Sequence, residues 1–202
     1  MGTIMNERFW NLQKEKQDRM INAALKVFAE NGYYHAGTDE IVREAQISKG
    51  LLFHYFINKN GLFEFICDYS IRYMRLELSG LVNDGKENFW RHCKEIEAAK
   101  TKIMGNYPYM PMFLETACLE SKEVIGEEAV LKLSGYRTFM EQLYGTSGEN
   151  EIYGTIAQYL SRGAMKQYLQ QGQNEPGSYY SKVSELYDTI WKLAGQKEKE
   201  ES

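Results

Sequence analysis

The sequence has little of what would tie it to an extracellular, membrane-bound or catalytic role. Its three cysteines, Cys67, Cys93 and Cys118, are odd in number, far apart and outside any CxxC pair. That spacing offers neither a disulfide framework nor a zinc site and fits a reducing compartment. No apolar run reaches the ~18 residues that a membrane-spanning helix needs, and no basic-then-apolar leader opens the chain. A cytoplasmic protein that does not engage a membrane is expected, with Met5 a second possible start after a short leader, Met1–Ile4. Only three prolines occur, and no Pro/Ser-rich tract, which argues against a stalk or long disorder. His35, His54 and His92 are scattered, and HExxH, GxSxG and the Gly-Lys phosphate loop are all missing. The expectation is therefore no metal, no cofactor and no enzyme.

What remains is an ordinary globular composition, 43% hydrophobic and 26% charged over 202 residues, enough chain for one large domain or two smaller ones. Apolar residues recur at helical spacing almost everywhere, without the sustained alternation of a half-buried strand, so the fold class is all-α. Helices are expected over about 14–31, from Thr38, from Ser48, and from Asn58 to about Val82. Others follow near 87–104, 109–120, 122–144, 149–171 and 178–195. Gly32 stops the first as a left-handed cap, and breaks are expected at 83–85 and 145–148.

The charge is unevenly spread. The chain carries a net −4, yet residues 1–60 hold eight Lys/Arg against seven Asp/Glu. From Ser48 to Asn60 there is no acidic residue, only Lys49, Lys59 and His54. In the same window two short helices are separated by Ala45-Gln46-Ile47-Ser48, the spacing of a helix-turn-helix whose second helix enters the DNA major groove by its N-terminal end. Ser48 and the free N–H groups of the first turn can hold a phosphate, Lys49 adds charge, and Gly50 lets backbone approach DNA. His54 and Tyr55 follow a turn later.

The run Ala23-Ala24-Leu25-Lys26-Val27-Phe28-Ala29-Glu30-Asn31-Gly32-Tyr33, then Thr38, Ile41 and Ala45, then Ile47-Ser48-Lys49-Gly50-Leu51-Leu52-Phe53-His54-Tyr55-Phe56 and Lys59, resembles the signature of the tetracycline-repressor (TetR) family over about the first 65 residues. The resemblance implies a three-helix DNA-binding head over 1–60, a larger helical domain over 61–202 for effector binding and dimerisation, and a homodimeric repressor on a palindromic operator. Thr38 would bond a phosphate; Ser48, Lys49, Gly50, Leu51 and His54 would face the groove; Tyr55 and Lys59 would hold the backbone. Gln46 stands where the family usually has Gly, Leu51 where a small polar residue is common, and Phe53 where Tyr is common. Leu51 suits a thymine methyl better than a hydrogen-bonding base edge.

Beyond about residue 70 only periodicity speaks. Tyr180, Val183, Tyr187, Ile190 and Ala194 are spaced 3, 4, 3, 4 with Trp191 beside them, and Ile152, Ile156, Tyr159 and Gly163 are spaced 4, 3, 4. These two seams either pair across a two-fold axis or face their own core. Tyr107, Tyr109, Met110, Met112 and Phe113, broken by two prolines, are candidate pocket residues for an unidentified small-molecule effector, with Trp90, Tyr136 and Phe139. The fourth helix is the expected lever between effector and DNA. The competing reading is a helical small-molecule-binding protein of the same fold that no longer binds DNA.

Overall fold

The computed structural model describes residues 8–81, 89–145, 151–172 and 175–200, with no side chain described from 194 onward. The breaks expected at 83–85 and 146–148, the leader and the side chain of Ala194 lie outside the described residues. Within them the chain is helical and contains no strand. In order come α1 (Lys14–His35), α2 (Thr38–Ala45), α3 (Lys49–Phe56), α4 (Lys59–Leu78), a 3-10 turn (Ser79–Leu81), α5 (Phe89–Asn106), α6 (Met110–Ala117), α7 (Lys122–Ile125), α8 (Glu127–Tyr144), α9 (Glu151–Gln170) and α10 (Pro176–Glu200). Two compact units result, one made of the chain up to Tyr73 with Tyr107–Tyr136, the other of Met74–Asn106 with 137 onward. Neither is continuous in sequence.

In the first unit α1 is the centre. Its inward stripe of Met20, Ile21, Ala24, Leu25 and Phe28 is buried, as the helical spacing requires. Gly32 interrupts it with φ +67°, and Tyr33–His35 add a further helical turn beyond. Phe28, Phe63 and Phe113 meet with ring centroids 5.1 to 6.2 Å apart, bringing α6 onto α1 and α4. Thr116 Oγ1 donates to the Ala29 carbonyl at 3.2 Å, and the Tyr33 amide donates to Glu120 at 2.7 Å. Pro111 sits in the first turn of α6, where its missing N–H costs nothing. The helix expected over 122–144 is divided at Gly126, whose φ of +85° ends α7.

The second unit packs α5 against α10 and α10 against α9. The inward face of α5 carries Cys93, Ile96, Ile103 and Met104, but the same face also carries Glu97 and Lys100. Cys67, Cys93 and Cys118 are not joined in disulfides; the first two are buried, and the Cys118 thiol donates to the Leu133 carbonyl. Burial pushes the Cys67 and Cys93 thiols far above their ordinary range, so both are inert packing groups.

Candidate nucleic-acid interface and a buried polar cluster

The expected helix-turn-helix forms. α2 ends at Gln46, which takes the left-handed conformation (φ 54°, ψ 48°), and its amide closes on the Arg43 carbonyl. This is the position where the resemblance puts Gly, and the dihedral shows why: a residue without Cβ enters that region free of strain. Ser48 then caps α3, its Oγ accepting from the Leu51 amide at 3.2 Å. Ile41, Ala45, Leu52 and Phe56 are buried; α2 packs on α1 and α3 on α2, and the Phe56 ring meets those of Phe9 and Phe65.

α3 presents its N-terminal end outward. Ser48, Lys49, Gly50 and His54 are exposed, and Leu51 is half-buried. A Cβ on Gly50 would meet nothing within 4 Å, so no contact inside the chain requires glycine there. Lys49 Nζ pairs with Asp39 at 2.7 Å, both groups in solvent. An exposed pair of this kind is weak and open to competition from a phosphate.

Three of the predicted contacts sit differently. Thr38 is the first residue of α2, with Gly37 in the cap position and no side-chain cap bond. Tyr55 is buried, its ring 5.9 Å from that of Phe9. Lys59 lies 4.7 Å over the Tyr33 ring and donates to the Tyr34 carbonyl at 3.2 Å, and partial desolvation pulls its ammonium below the ordinary lysine range. The turn between α3 and α4 is tight. The Asn58 amide bonds the Phe56 carbonyl at 2.6 Å around Ile57, a β-branched residue at φ 57°. Asn58 Oδ1 then caps α4 by accepting from the Gly61 amide at 2.8 Å, and a Cβ on Gly61 would run into the Phe56 carbonyl.

Residues 20–66 match the family model described as bacterial regulatory proteins, tetR family. The match covers most of α1, all of α2 and α3 and the start of α4. The HTH-type transcriptional regulator UidR of Escherichia coli is 41% identical to this protein over 59 residues, 28% of this chain and 30% of that protein. The chain spans less than half the length of the curated relatives it matches. A TetR-family transcriptional regulator from Chloroflexus aurantiacus shares the fold at TM-score 0.60 and 14% identity, with 93% of this chain and 94% of that one covered. The transcriptional regulator FadR from Bacillus subtilis, solved in complex with stearoyl-CoA, does so at TM-score 0.51 and 15% identity over 84% and 96%.

The second unit holds a polar cluster that no motif announces. Glu97 is fully buried and accepts from Tyr187 at 2.9 Å, from Ser161 at 3.1 Å, and from Tyr144 and Tyr179. Lys100, one turn on and 4% exposed, lies 3.2 Å from Glu97 Oε2 and donates to Ser161 Oγ at 2.5 Å and Tyr144 at 3.3 Å. Tyr187 also donates to the Ala157 carbonyl. Burial first, and then the Glu97 charge, pushes the Tyr144 and Tyr187 phenols well above their ordinary range. His92 bonds the Leu143 carbonyl at 2.9 Å nearby in sequence.

The effector candidates divide between the units. Tyr107, Met110, Phe113 and Tyr136 are buried in the first, where Tyr109 and Met112 are half-buried. Tyr107 donates to Asp18 at 3.1 Å and lies 2.6 Å from the Tyr69 hydroxyl; burial pushes its phenol up to about 12. In the second unit the Trp90 ring is 5.5 Å from that of Tyr187, and the half-buried Phe139 ring lies under Arg75 at 5.3 Å. Of the two seams, that of α9 faces outward: Ile152, Tyr159 and Gly163 are exposed and Ile156 half-buried. That of α10 turns inward, because Val183 and Tyr187 are fully buried in their own unit; Tyr180 and Ile190 are half-buried and Trp191 exposed.

Proposed function

We propose that the protein is a sequence-specific, DNA-binding transcriptional regulator, a homodimeric repressor on a palindromic operator. The carrying observation is the Ser48-capped N-terminus of α3, which offers free N–H groups, exposed Lys49 and His54, and a Gly50 that internal packing does not explain. The acid-free stretch from Ser48 to Asn60 keeps the negative whole-chain charge away from that end. Ser48, Lys49, Gly50, Leu51 and His54 meet the groove in this reading. Thr38 flanks the phosphate. Lys59 supports the backbone contact by holding the Tyr33–Tyr34 turn, and buried Tyr55 supports it by fixing α3.

The outward seam of α9, Ile152, Ile156, Tyr159 and Gly163, supports pairing with a second copy, since it has helical spacing and leaves Ile152, Tyr159 and Gly163 exposed among the described residues. Two heads on one palindrome must then stand about 34–36 Å apart, and an effector acts by favouring a conformation that misses this spacing. FadR is a complex with stearoyl-CoA, which supports small-molecule control on this fold by analogy. No catalytic role is proposed.

Selection from random duplex DNA tests the reading. An inverted repeat is expected, and Lys49→Ala should weaken its binding and lower the salt dependence by about one counterion. Equal binding of all sequences, or none, would favour a fold-sharing protein that does not read DNA.

A further inference from the structure

Lys49, the cation at the leading end of α3, already has a partner. Its Nζ lies 2.7 Å from the carboxylate of Asp39, which is 80% exposed. Asp39 is the second residue of α2 and Lys49 the first of α3, so the pair links the N-terminal ends of the two helices. The stretch from Ser48 to Asn60 has no acid of its own, and the fold brings this one to it. An anion is unexpected on a surface that meets a polyanion. Helix stabilisation alone does not explain it, because Glu40 in the same turn serves the α2 dipole as well. Nor does the pair hold the fold together, since an exposed ion pair is weak.

Two kinds of acceptor compete for Lys49 in a DNA complex, and Asp39 acts on them differently. A phosphate that captures the ammonium leaves the carboxylate unpaired beside another anion, which repels it. The O6 and N7 acceptors of a guanine edge are uncharged, and an ammonium with three donors can reach them while keeping its bond to Asp39. The carboxylate therefore penalises the backbone contact and spares the base contact. We propose that Asp39 is a specificity-determining residue that holds Lys49 for a guanine edge in the major groove and withholds it from the phosphates that every duplex offers. It acts through Lys49 and is a positioning residue. The proposal rests on the reading of α3 as the helix that enters the groove.

The test compares the wild type, Asp39→Asn, Asp39→Glu and Lys49→Ala on the duplex that the wild type selects and on a random duplex. Each G·C pair of the half-site is replaced in turn by A·T, which exchanges the O6 acceptor for an amino donor. In the wild type one such replacement should weaken binding by about 10-fold or more, and in Lys49→Ala the same replacement should cost less than about 3-fold. Asp39→Asn should bind the random duplex more tightly, with a salt dependence steeper by about one counterion, while its discrimination at that G·C pair falls by about 3-fold or more. Asp39→Glu keeps the charge and should restore the discrimination. A role confined to the α2 dipole would change thermal stability and leave the base preference where it was. The proposal is overturned if no G·C pair of the wild-type site is sensitive, a result that needs no variant. It is equally overturned if Lys49→Ala keeps the full sensitivity or if Asp39→Asn discriminates as sharply as the wild type. In those cases the wild type still binds its selected duplex and the DNA-binding reading stands, whereas a wild type that binds no duplex overturns both.

Discussion

Glu120 accepts from the Tyr33 amide at 2.7 Å with the same oxygen that would lie 2.8 Å from a Cβ on Gly32. One carboxylate thus both closes the end of α1 and uses the space that glycine leaves open. Glu120→Ala should destabilise the protein by about 1–3 kcal/mol, the range for losing a charged hydrogen bond to a partly buried amide. Gly32→Ala should cost more than about 1 kcal/mol, since φ +67° disfavours any side chain. In the double variant the costs should fall short of their sum, because the clash disappears with the carboxylate. Denaturant unfolding of the four proteins checks this, and full additivity would contradict the shared oxygen.

Gln46 in the helix-turn-helix gives a prediction of opposite sign. Gln46→Gly should stabilise by about 0.5–1 kcal/mol, the left-handed strain outweighing the backbone entropy of glycine, and raise Tm by about 1–4 °C. Gly61→Ala should instead cost about 1–3 kcal/mol, because the Phe56 carbonyl occupies the space a methyl would need. Differential scanning calorimetry separates the two.

Alkaline pH should loosen the second unit through Tyr144 and Tyr187. Both phenols are held above their ordinary value, so the unfolded chain ionises first. The stability they contribute is complete below about pH 10, the unfolded tyrosine value, and declines as pH rises past it. Denaturant midpoints measured from pH 8 to 11 should fall at the upper end, and Tyr144→Phe should make the fall shallower. An unchanged slope would argue that the Glu97 cluster is looser than its geometry indicates.

The outward seam of α9 predicts the oligomer. Tyr159→Glu combined with Ile152→Lys should convert a dimer to a monomer in analytical ultracentrifugation. Leu131→Lys, at an equally exposed apolar position on α8, should leave the dimer intact. A monomeric wild-type protein, or a dimer indifferent to the seam, would contradict the pairing.

The head was legible in the sequence because its instructions are local. Ser48 before an apolar i, i+4 pair and Gly32 after a periodic run each mark an element by their own chemistry. The start of α2 at Thr38 is legible as well, although Gly37 supplies the cap position without a side-chain bond. In the stretch from Tyr107 to Phe113, Met110 is buried and the Phe113 ring packs on that of Phe63, a contact between residues 50 apart that periodicity does not reveal. Sequence distance hides such packing. The Glu97 cluster was missed because its members lie on four helices, and Glu97 and Lys100 look like part of a solvated charged face. One signal was present: both occupy the inward stripe set by Cys93, Ile96, Ile103 and Met104, where a charged residue must find partners.

Binding of the purified, effector-free protein to a selected duplex, titrated at two salt concentrations, tests whether α3 reads DNA. An inverted repeat is expected, its affinity falling steeply as salt rises, with the loss reduced in Lys49→Ala. Folded protein that retains no duplex even at low salt would contradict it.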